Sequence, residues 1–271
     1  MIALRIGLPL AALTVLLAGP GTAAAQRHRE ADRMSCRNDH DGDWGERYCD
    51  IREQRVRPGG TIKVDASPNG GVTVIGWDRN EIVVRTKITA NARSESRARD
   101  IAAEVKVQID GTTISVDGPS SRNREWWSAS FEIHAPKSSN LNVRSHNGGI
   151  DVDALDGDMD LATTNGGLSL RDVGGDVRAE TTNGGLDIEL EGRAWRGRGL
   201  DARTANGGVD LSVPRDYSAQ LETGTVNGGL EIDFPVEVRG KIGRRINAKL
   251  GDGGAPIRVT TTNGGVTIRR R

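Results

Sequence analysis

The chain has 271 residues, which is enough for one sizeable domain or a small pair of domains. Its 37 lysines and arginines balance its 37 aspartates and glutamates, so the chain lacks the net basic charge that nucleic-acid binding requires. Aromatic residues make up only 3% of the chain, whereas 36 residues are glycine. This composition favours a thin core of stacked aliphatic residues, with glycine used in turns, over a sandwich with a bulky core.

Residues 1–25 have the pattern of a secretory signal peptide. Arg5 supplies a positive charge, an apolar run extends from Ile6 to Leu17, and three alanines before Gln26 form a small-residue cleavage site. The run is too short for a typical transmembrane helix, and an uncleaved anchor is the alternative. No second hydrophobic stretch follows. We therefore expect a soluble mature chain without a transmembrane segment, exported to the periplasm or the extracellular space.

Residues 26–55 are predicted to form a polar N-terminal extension, with irregular structure up to about Gln54. This extension contains both cysteines of the chain, Cys36 and Cys49, and an exported protein is expected to join such a pair in a disulfide. Metal binding by the cysteines together with His28 and His40 is the alternative. Their spacing matches no established zinc pattern, so the disulfide is favoured.

Residues 56–139 are predicted to form the N-terminal strands and cap of the fold. One helix is expected at residues 94–105, where apolar residues fall on one face at helical spacing. Asp110-Gly111 is a turn signal and predicts a hairpin. Alternating apolar residues up to the start of the repeats predict strands at 61–65, 71–75, 81–89, 105–109, 113–116, 130–135 and 141–144.

Residues 140–271 repeat the tripeptide Asn-Gly-Gly, which also occurs once earlier. The seven repeated asparagines are Asn69, Asn147, Asn165, Asn183, Asn206, Asn227 and Asn263. From the second copy onward they are separated by 18, 18, 23, 21 and 36 residues. These spacings indicate a structural repeat of 18–23 residues with one double period.

The residues that flank each tripeptide repeat as well. A hydroxyl residue lies two positions before every Asn, and aliphatic residues lie three and five positions after it, separated by a mostly polar residue. This alternation is typical of a strand with one buried face. Each repeat is therefore predicted to contain a strand, an Asn-Gly-Gly corner, a second strand and a second turn. At the corner, we expect Asn to tolerate a left-handed backbone and the glycines to supply further positive φ angles.

Two all-β folds could use this repeat. In a β-solenoid, each repeat forms one rung of about 18–23 residues, and equivalent residues stack about 4.8 Å apart. In a meander or sandwich, each Asn-Gly would form a type I′ hairpin turn. The constant offset of the hydroxyl and the Asn favours the solenoid, because Asn side chains could then bond from one rung to the next. One short helix would lie in an N-terminal capping region.

The chain ends in three arginines, Arg269 to Arg271. On the last strand of a stack, these charges would discourage edge-to-edge pairing with another molecule. A basic anchor for anionic lipid or polymer is the alternative.

Several stretches resemble the bacterial domain DUF4097, which is described as a candidate adhesin. The resemblance is carried by residues 64–72 with Gly76-Trp77-Asp78, by residues 175–185 and by residues 253–265. It extends over about residues 56–271. It implies a β-helical, envelope-associated or secreted protein, and it implies no catalytic residues.

The sequence contains no nucleophile motif, metalloprotease motif or phosphate-binding loop. We therefore assign no catalytic residues, no metal ligands and no cofactor. The remaining candidate is a weak cation-binding or glycan-binding face, because four acidic residues occupy the same outward position of four repeats: Asp151, Asp187, Asp210 and Glu231. Three further acids are expected nearby, Asp153, Asp158 and Asp160, and three arginines could offset the charge, Arg171, Arg178 and Arg203. A solvated face without a ligand is the alternative.

The leading hypothesis is an exported non-enzymatic β-solenoid that acts as an adhesin-like binding or envelope scaffold protein. Its partner would be a surface glycan, a cell-wall polymer or an envelope protein. A polysaccharide lyase or hydrolase is an alternative, in which Trp126, Trp127 and Trp195 could stack on sugars rather than cap the core. A sensory or regulatory domain in envelope stress is a further alternative that no residue supports directly.

Overall fold

The structure is a computed structural model that describes residues 34–36, 45–122, 124–235, 237–238 and 244–271. The predicted signal peptide, His28 and His40 lie outside the described residues. The chain divides into two compact units, residues 1–35 and 36–271. Of the first unit only Met34 and Ser35 are described, and the description below concerns the second. In the described ranges, no helix is both long and apolar enough to cross a membrane.

The described residues form one α-helix and 21 strands. The helix is α1 (Glu95–Glu104). The strands are β1 (Glu46–Val56), β2 (Ile62–Asp65), β3 (Val72–Trp77), β4 (Ile82–Ala92), β5 (Lys106–Asp110), β6 (Thr113–Asp117), β7 (Trp126–Pro136), β8 (Leu141–Asn147), β9 (Ile150–Asp153), β10 (Met159–Asn165), β11 (Leu168–Arg171), β12 (Asp176–Asn183), β13 (Leu186–Glu189), β14 (Gly199–Asn206), β15 (Val209–Val213), β16 (Ala219–Asn227), β17 (Leu230–Ile232), β18 (Glu237–Val238), β19 (Arg245–Leu250), β20 (Pro256–Asn263) and β21 (Val266–Arg270). The mostly-β class with a single helix that the sequence predicts is therefore confirmed.

The strands form two sheets. Sheet A has the order β1-β4-β7-β3-β9-β11-β13-β15-β21-β17, and sheet B has the order β18-β19-β16-β20-β14-β12-β10-β8-β2-β6-β5. Each Asn-Gly-Gly corner joins a strand of sheet B to the next strand in the chain, which lies in sheet A; we call such a strand pair a rung. The rungs pair in parallel and in register, so that Asn183 lies opposite Asn165 and Leu186 opposite Leu168. Parallel pairing excludes the hairpin alternative for these corners.

The inward residues of both sheets belong to one hydrophobic core. In sheet B, Leu161 and Ala179 are fully buried, and in sheet A, Leu168 and Ile188 are buried to the same degree. These are the alternating aliphatic positions of the repeat. Because each rung contributes only a few of them to each sheet, the core depends on stacking of neighbouring rungs.

The N-terminal end of the sheets is antiparallel and carries the helix. Strand β4 pairs with both β1 and β7, and β5 forms the predicted hairpin with β6. The helix buries Ala98, Ile101 and Ala102, and the hydroxyl of Ser94 accepts a hydrogen bond from the Arg97 N–H at its N-terminus. The predicted helix and hairpin are therefore confirmed.

The N-terminal extension is more ordered than the sequence suggests. Irregular structure was expected up to about Gln54, whereas β1 begins at Glu46 and pairs along its whole length with β4. The expectation was wrong because ladder pairing with β4 outweighs the polar composition, and charged residues are usual on an edge strand. The Cys36–Cys49 disulfide, with a Cα–Cα distance of 5.7 Å, ends on β1 and confirms the predicted pairing.

The order of the rungs in space differs from their order in the chain. The last rung, β20 and β21, lies between the rung that contains Asn206 and the rung that contains Asn227. The prediction that Arg269 to Arg271 close a terminal edge was therefore wrong, since β21 pairs on both sides. The physical reason is the antiparallel return of β19, which pairs with the outer side of β16 and leaves its inner side to β20.

Candidate functional site

The seven repeated asparagines form a continuous ladder of side-chain amides. Six of them donate from Nδ2 to the Oδ1 of a neighbour at 2.8–2.9 Å, whereas Asn69 at the end of the ladder donates to the carbonyl of Trp127 at 3.4 Å. The order along the ladder is Asn69, Asn147, Asn165, Asn183, Asn206, Asn263 and Asn227. The rung-to-rung Asn bonds that the spacing suggested are thus present.

A second ladder accounts for six of the seven hydroxyl residues that lie two positions before an Asn. The Oγ1 of Thr181 donates to the carbonyl oxygen of Gly166 in the neighbouring rung at 2.7 Å, and Thr163 makes the same bond to Gly148 at 2.8 Å. Equivalent bonds come from Ser145, Thr204, Thr225 and Thr261. These six residues are at most 6% exposed, so the bonds satisfy polar groups that water cannot reach.

The first glycine of each corner is required by close packing. A Cβ on Gly184 would lie 2.0 Å from the carbonyl oxygen of Gly166, and at the other six corners the nearest backbone oxygen would lie at 1.8–2.2 Å. Among the corner residues, only Gly264 has a positive φ, at 155°, and no corner Asn does. The prediction of left-handed corners was therefore wrong. Glycine is needed there because neighbouring rungs leave no space for a Cβ.

The outward surface of sheet A carries the predicted acidic positions in one line. In-register pairing aligns six residues, which we call the acidic row: Asp151, Ser169, Asp187, Asp210, Thr267 and Glu231. Asp187 and Asp210 are direct neighbours. Ser169 separates Asp151 from Asp187, and Thr267 separates Asp210 from Glu231.

The next outward line of sheet A offsets this charge only in part. Arg171 lies between Asp153 and Glu189, at 3.6 and 3.3 Å, and Arg269 lies 3.7 Å from Asp210. Arg271 also reaches Glu189, at 3.5 Å. Ion pairs on this face thus involve Asp153, Glu189 and Asp210, and Arg271 also lies 2.6 Å from Glu191.

The outward charges of sheet B are arranged differently from those of sheet A. One of its lines alternates in sign across neighbouring strands, in the order Asp160, Arg178, Asp201, Arg258 and Glu222. Arg203 pairs with Asp201 on the same strand, and Arg258 lies 2.7 Å from Glu222. Of the arginines expected to offset the acids, Arg178 and Arg203 thus lie on the other sheet. Asp160 also lies on sheet B, 2.5 Å from Arg144.

Like-charged neighbours perturb the carboxylates of sheet A. Asp187 is exposed, yet partial desolvation raises its pKa, and the carboxylates of Glu189 and Asp210 raise it further. Burial also raises the pKa of Asp153, although Arg171 opposes the effect. Beside the acidic row runs an open groove of about 740 Å³, in which the second glycines of four corners lie beside acidic and serine side chains. The groove could accept an extended ligand that carries amine or hydroxyl groups.

A buried ionic cluster on the same face was missed by sequence analysis. Glu132 is 3% exposed, and its Oε1 lies 2.9 Å from Arg85 Nη1 and 3.2 Å from His134 Nε2. Burial opposes the ionisation of Glu132, but the hydrogen bonds from His134 and Arg85 outweigh it and lower the pKa of this carboxyl. The Glu132–His134 spacing was a local signal, whereas the contact with Arg85 depends on the pairing of β7 with β4.

The tryptophans considered for sugar stacking are mostly structural. Trp127 and Trp195 are 3% and 8% exposed, and their indole N–H groups donate to the carbonyls of Pro119 and Gly175 at 2.7 and 3.0 Å. Trp126 is half-buried, with the guanidinium of Arg47 above its ring at 5.6 Å. His146 lies exposed on β8 beside the corner. In the parts of the chain that the structure describes, no group of three or more His, Cys, Asp or Glu could hold a metal ion.

The paired rungs and the Asn-Gly-Gly corners define a β-repeat protein whose variable residues lie on its outward faces. The chain belongs to the family called Toastrack DUF4097, whose model matches residues 52–269. The resemblance in the sequence is thereby confirmed.

Several solved structures are similar to the chain at low sequence identity. A candidate cell adhesion protein from Clostridium sporogenes is 11% identical, with a TM-score of 0.44, over 83% of this chain and 100% of its own. A candidate adhesin from Bacteroides fragilis is 13% identical, with a TM-score of 0.44, over 85% of this chain and 100% of its own. A candidate lipid binding protein from Parabacteroides distasonis is 9% identical, with a TM-score of 0.30, over 82% of this chain and 96% of its own. None of the curated proteins compared with the chain matches it.

Proposed function

We propose that the protein is an exported, non-enzymatic β-solenoid that acts as an adhesin-like binding or envelope scaffold protein. In this proposal the outward face of sheet A is the binding face. The observation that carries it is the partly uncompensated acidic row beside an open groove, on a protein whose other sheet pairs its outward charges.

The repeat suits an extended polymer. Equivalent outward groups recur on each strand, about 4.8 Å apart, so a polymer that crosses the strands can meet the same kind of group repeatedly. Asp187 and Asp210 supply carboxylates in neighbouring rungs, and Ser169 supplies a hydroxyl. These groups suit a surface glycan, a cell-wall polymer or an envelope protein that presents amines, hydroxyls or bound cations.

Export is supported by two features of the chain. Residues 1–25 have the pattern of a signal peptide. The Cys36–Cys49 disulfide suits an oxidising compartment such as the periplasm or the extracellular space.

A non-enzymatic role agrees with the surroundings of the acids. A glycan-cleaving enzyme would need sugar-binding subsites beside a pair of carboxyl groups. Asp187 and Asp210 are neighbours, but Trp127 and Trp195 are buried and use their indole N–H groups within the fold. We therefore expect binding without turnover.

The test is a binding screen of the mature protein on a glycan array and on isolated cell-wall material. The variant Asp187→Asn/Asp210→Asn removes two charges from the acidic row, and Asp160→Asn/Asp201→Asn removes two from sheet B as a matched control. We expect the first variant to lose most of the binding, the control to retain it, and high salt to weaken it.

Two results would contradict the proposal. Equal binding by both variants would show that the acidic row is not the contact surface. Release of sugar fragments that the sheet A variant abolishes would show that the protein is an enzyme.

A further inference from the structure

The corner at Asn227 lies at the end of the amide ladder and differs from the other six corners. In those six, the backbone N–H of the first glycine donates to the carbonyl of the neighbouring Asn at 3.0 Å: Gly70, Gly148, Gly166, Gly184, Gly207 and Gly264. Among the described residues, the N–H of Gly228 has no such acceptor, because no further corner follows it in the stack.

The side chain of Asn227 is also held less firmly. Its Nδ2 donates to Asn263 Oδ1 at 2.8 Å, but within the described chain no ladder neighbour donates to its own Oδ1. The Asn183 side chain, by contrast, donates to Asn165 and accepts from Asn206. Gly228 is exposed, whereas the first glycine of every other corner is buried or half-buried.

These differences affect chemical stability, because in an Asn-Gly sequence the backbone nitrogen of the glycine can attack the Asn side chain. The glycine nitrogen loses its proton and attacks Cγ of the Asn side chain, a C–N bond closes a succinimide ring, and ammonia leaves. Water then opens the ring to aspartate or isoaspartate. Glycine favours the attack because it has no Cβ to obstruct it. A hydrogen-bonded glycine N–H and an immobilised amide oppose it, since both must first be released by local opening.

We propose that Asn227 is a site of spontaneous deamidation in the folded protein, and that rung stacking protects the other six Asn-Gly bonds. The product lacks the amide donor that bonds Asn263, and it carries a new negative charge at the end of the ladder. An isoaspartate also inserts a backbone atom before Gly228, which displaces the corner between β16 and β17.

The test is a time course of the folded full-length protein at mildly alkaline pH, with peptide mapping by tandem mass spectrometry. We expect conversion at Asn227 at least about tenfold faster than at any other corner, because the others require local opening. In concentrated urea, all seven sites should convert at similar rates, since they share the sequence Asn-Gly-Gly. Faster conversion at another corner of the folded protein would overturn the proposal, as would an unchanged preference for Asn227 in urea.

Two matched variants complete the test. Asn227→Gln should abolish the early release of ammonia from the folded protein, whereas Asn206→Gln should leave it unchanged. The peptide map of the wild-type protein decides the proposal even if a variant fails to fold. Early ammonia release that persists in a folded Asn227→Gln variant would contradict the assignment.

Discussion

Sheets A and B are built from the same rungs, yet their outward faces carry charge in opposite ways. In sheet B, Arg178 lies between Asp160 and Asp201, so each charge has an opposite neighbour. In sheet A, Asp187 lies directly beside Asp210. Opposite charges on neighbouring strands stabilise a sheet and like charges destabilise it. Sheet A therefore carries a repulsion between neighbouring carboxylates that the alternating line of sheet B does not have.

The stability of the fold comes from features that the two sheets share. Both sheets are stabilised by the inward aliphatic residues, the amide ladder and the buried hydroxyls, because every rung contributes a strand to each sheet. The outward residues differ from rung to rung, and exposed ion pairs contribute little to stability. The adjacent like charges of Asp187 and Asp210 therefore do not serve to stabilise the sheet, which agrees with the binding face proposed above.

Among the features that both sheets share, the corner glycines are where we expect a substitution to reduce stability most. We expect Gly184→Ala to lower the free energy of unfolding by about 3 kcal/mol, because its Cβ would lie 2.0 Å from the Gly166 carbonyl oxygen. Gly229→Ala is the matched control, since a Cβ there meets nothing within 4 Å. Urea denaturation measures both. Equal stabilities for the two variants would contradict the packing role of the first glycine.

The buried acid of sheet A should behave unlike the acidic row. We expect Glu132→Gln to lower the free energy of unfolding by about 2 kcal/mol at neutral pH, because it leaves Arg85 without its buried carboxylate. The folded-state pKa of Glu132 is lowered, so its contribution is present above the unfolded pKa and is lost as the pH falls through the folded pKa.

Denaturation of both proteins over a series of pH values measures this contribution. The difference between the wild-type protein and Glu132→Gln should shrink on acidification. A difference that is constant with pH would show that the effect does not come from the ionised carboxyl.

Loss of one hydrogen bond of the hydroxyl ladder should reduce stability less than either substitution above. Thr181→Val removes the bond to the Gly166 carbonyl and should lower the free energy of unfolding by about 1 kcal/mol. Thr182→Val, at the exposed neighbouring position, should change it by less than about 0.5 kcal/mol. Thermal denaturation of the two variants distinguishes them. A larger loss for Thr182→Val would contradict the role of the buried hydroxyl.

Much of the fold could be predicted because its signals are local and periodic. The offset of Thr181 from Asn183 and the aliphatic residues at Leu186 and Ile188 predict a strand, a corner and a strand without knowledge of any distant contact. The four acids could be aligned for the same reason, because a constant offset from the corner fixes the outward position.

The features that could not be predicted depend on long-range pairing. Strand β1 forms because β4 offers it an edge, and the last rung lies inside the stack because β19 occupies the other side of β16. Contacts between charged residues on different strands could not be predicted for the same reason. Position in the repeat does not show that Arg178 faces away from the acidic row, or that Arg85 reaches Glu132.

The most direct test of the contrast between the two faces is the effect of removing one outward charge from each. We compare Asp187→Asn on sheet A with Asp201→Asn on sheet B by urea denaturation at low ionic strength. The pKa of Asp187 is raised in the folded state, so its ionisation opposes folding at neutral pH, and this opposition disappears as the pH falls through the folded pKa.

Asp187→Asn should therefore raise the free energy of unfolding by about 0.5 kcal/mol. Asp201→Asn removes the ion-pair partner of Arg203 and the acid that lies opposite Arg178 and Arg258, and should lower it by a similar amount. Both effects should fade in high salt. Effects of the same sign for the two substitutions would contradict the account.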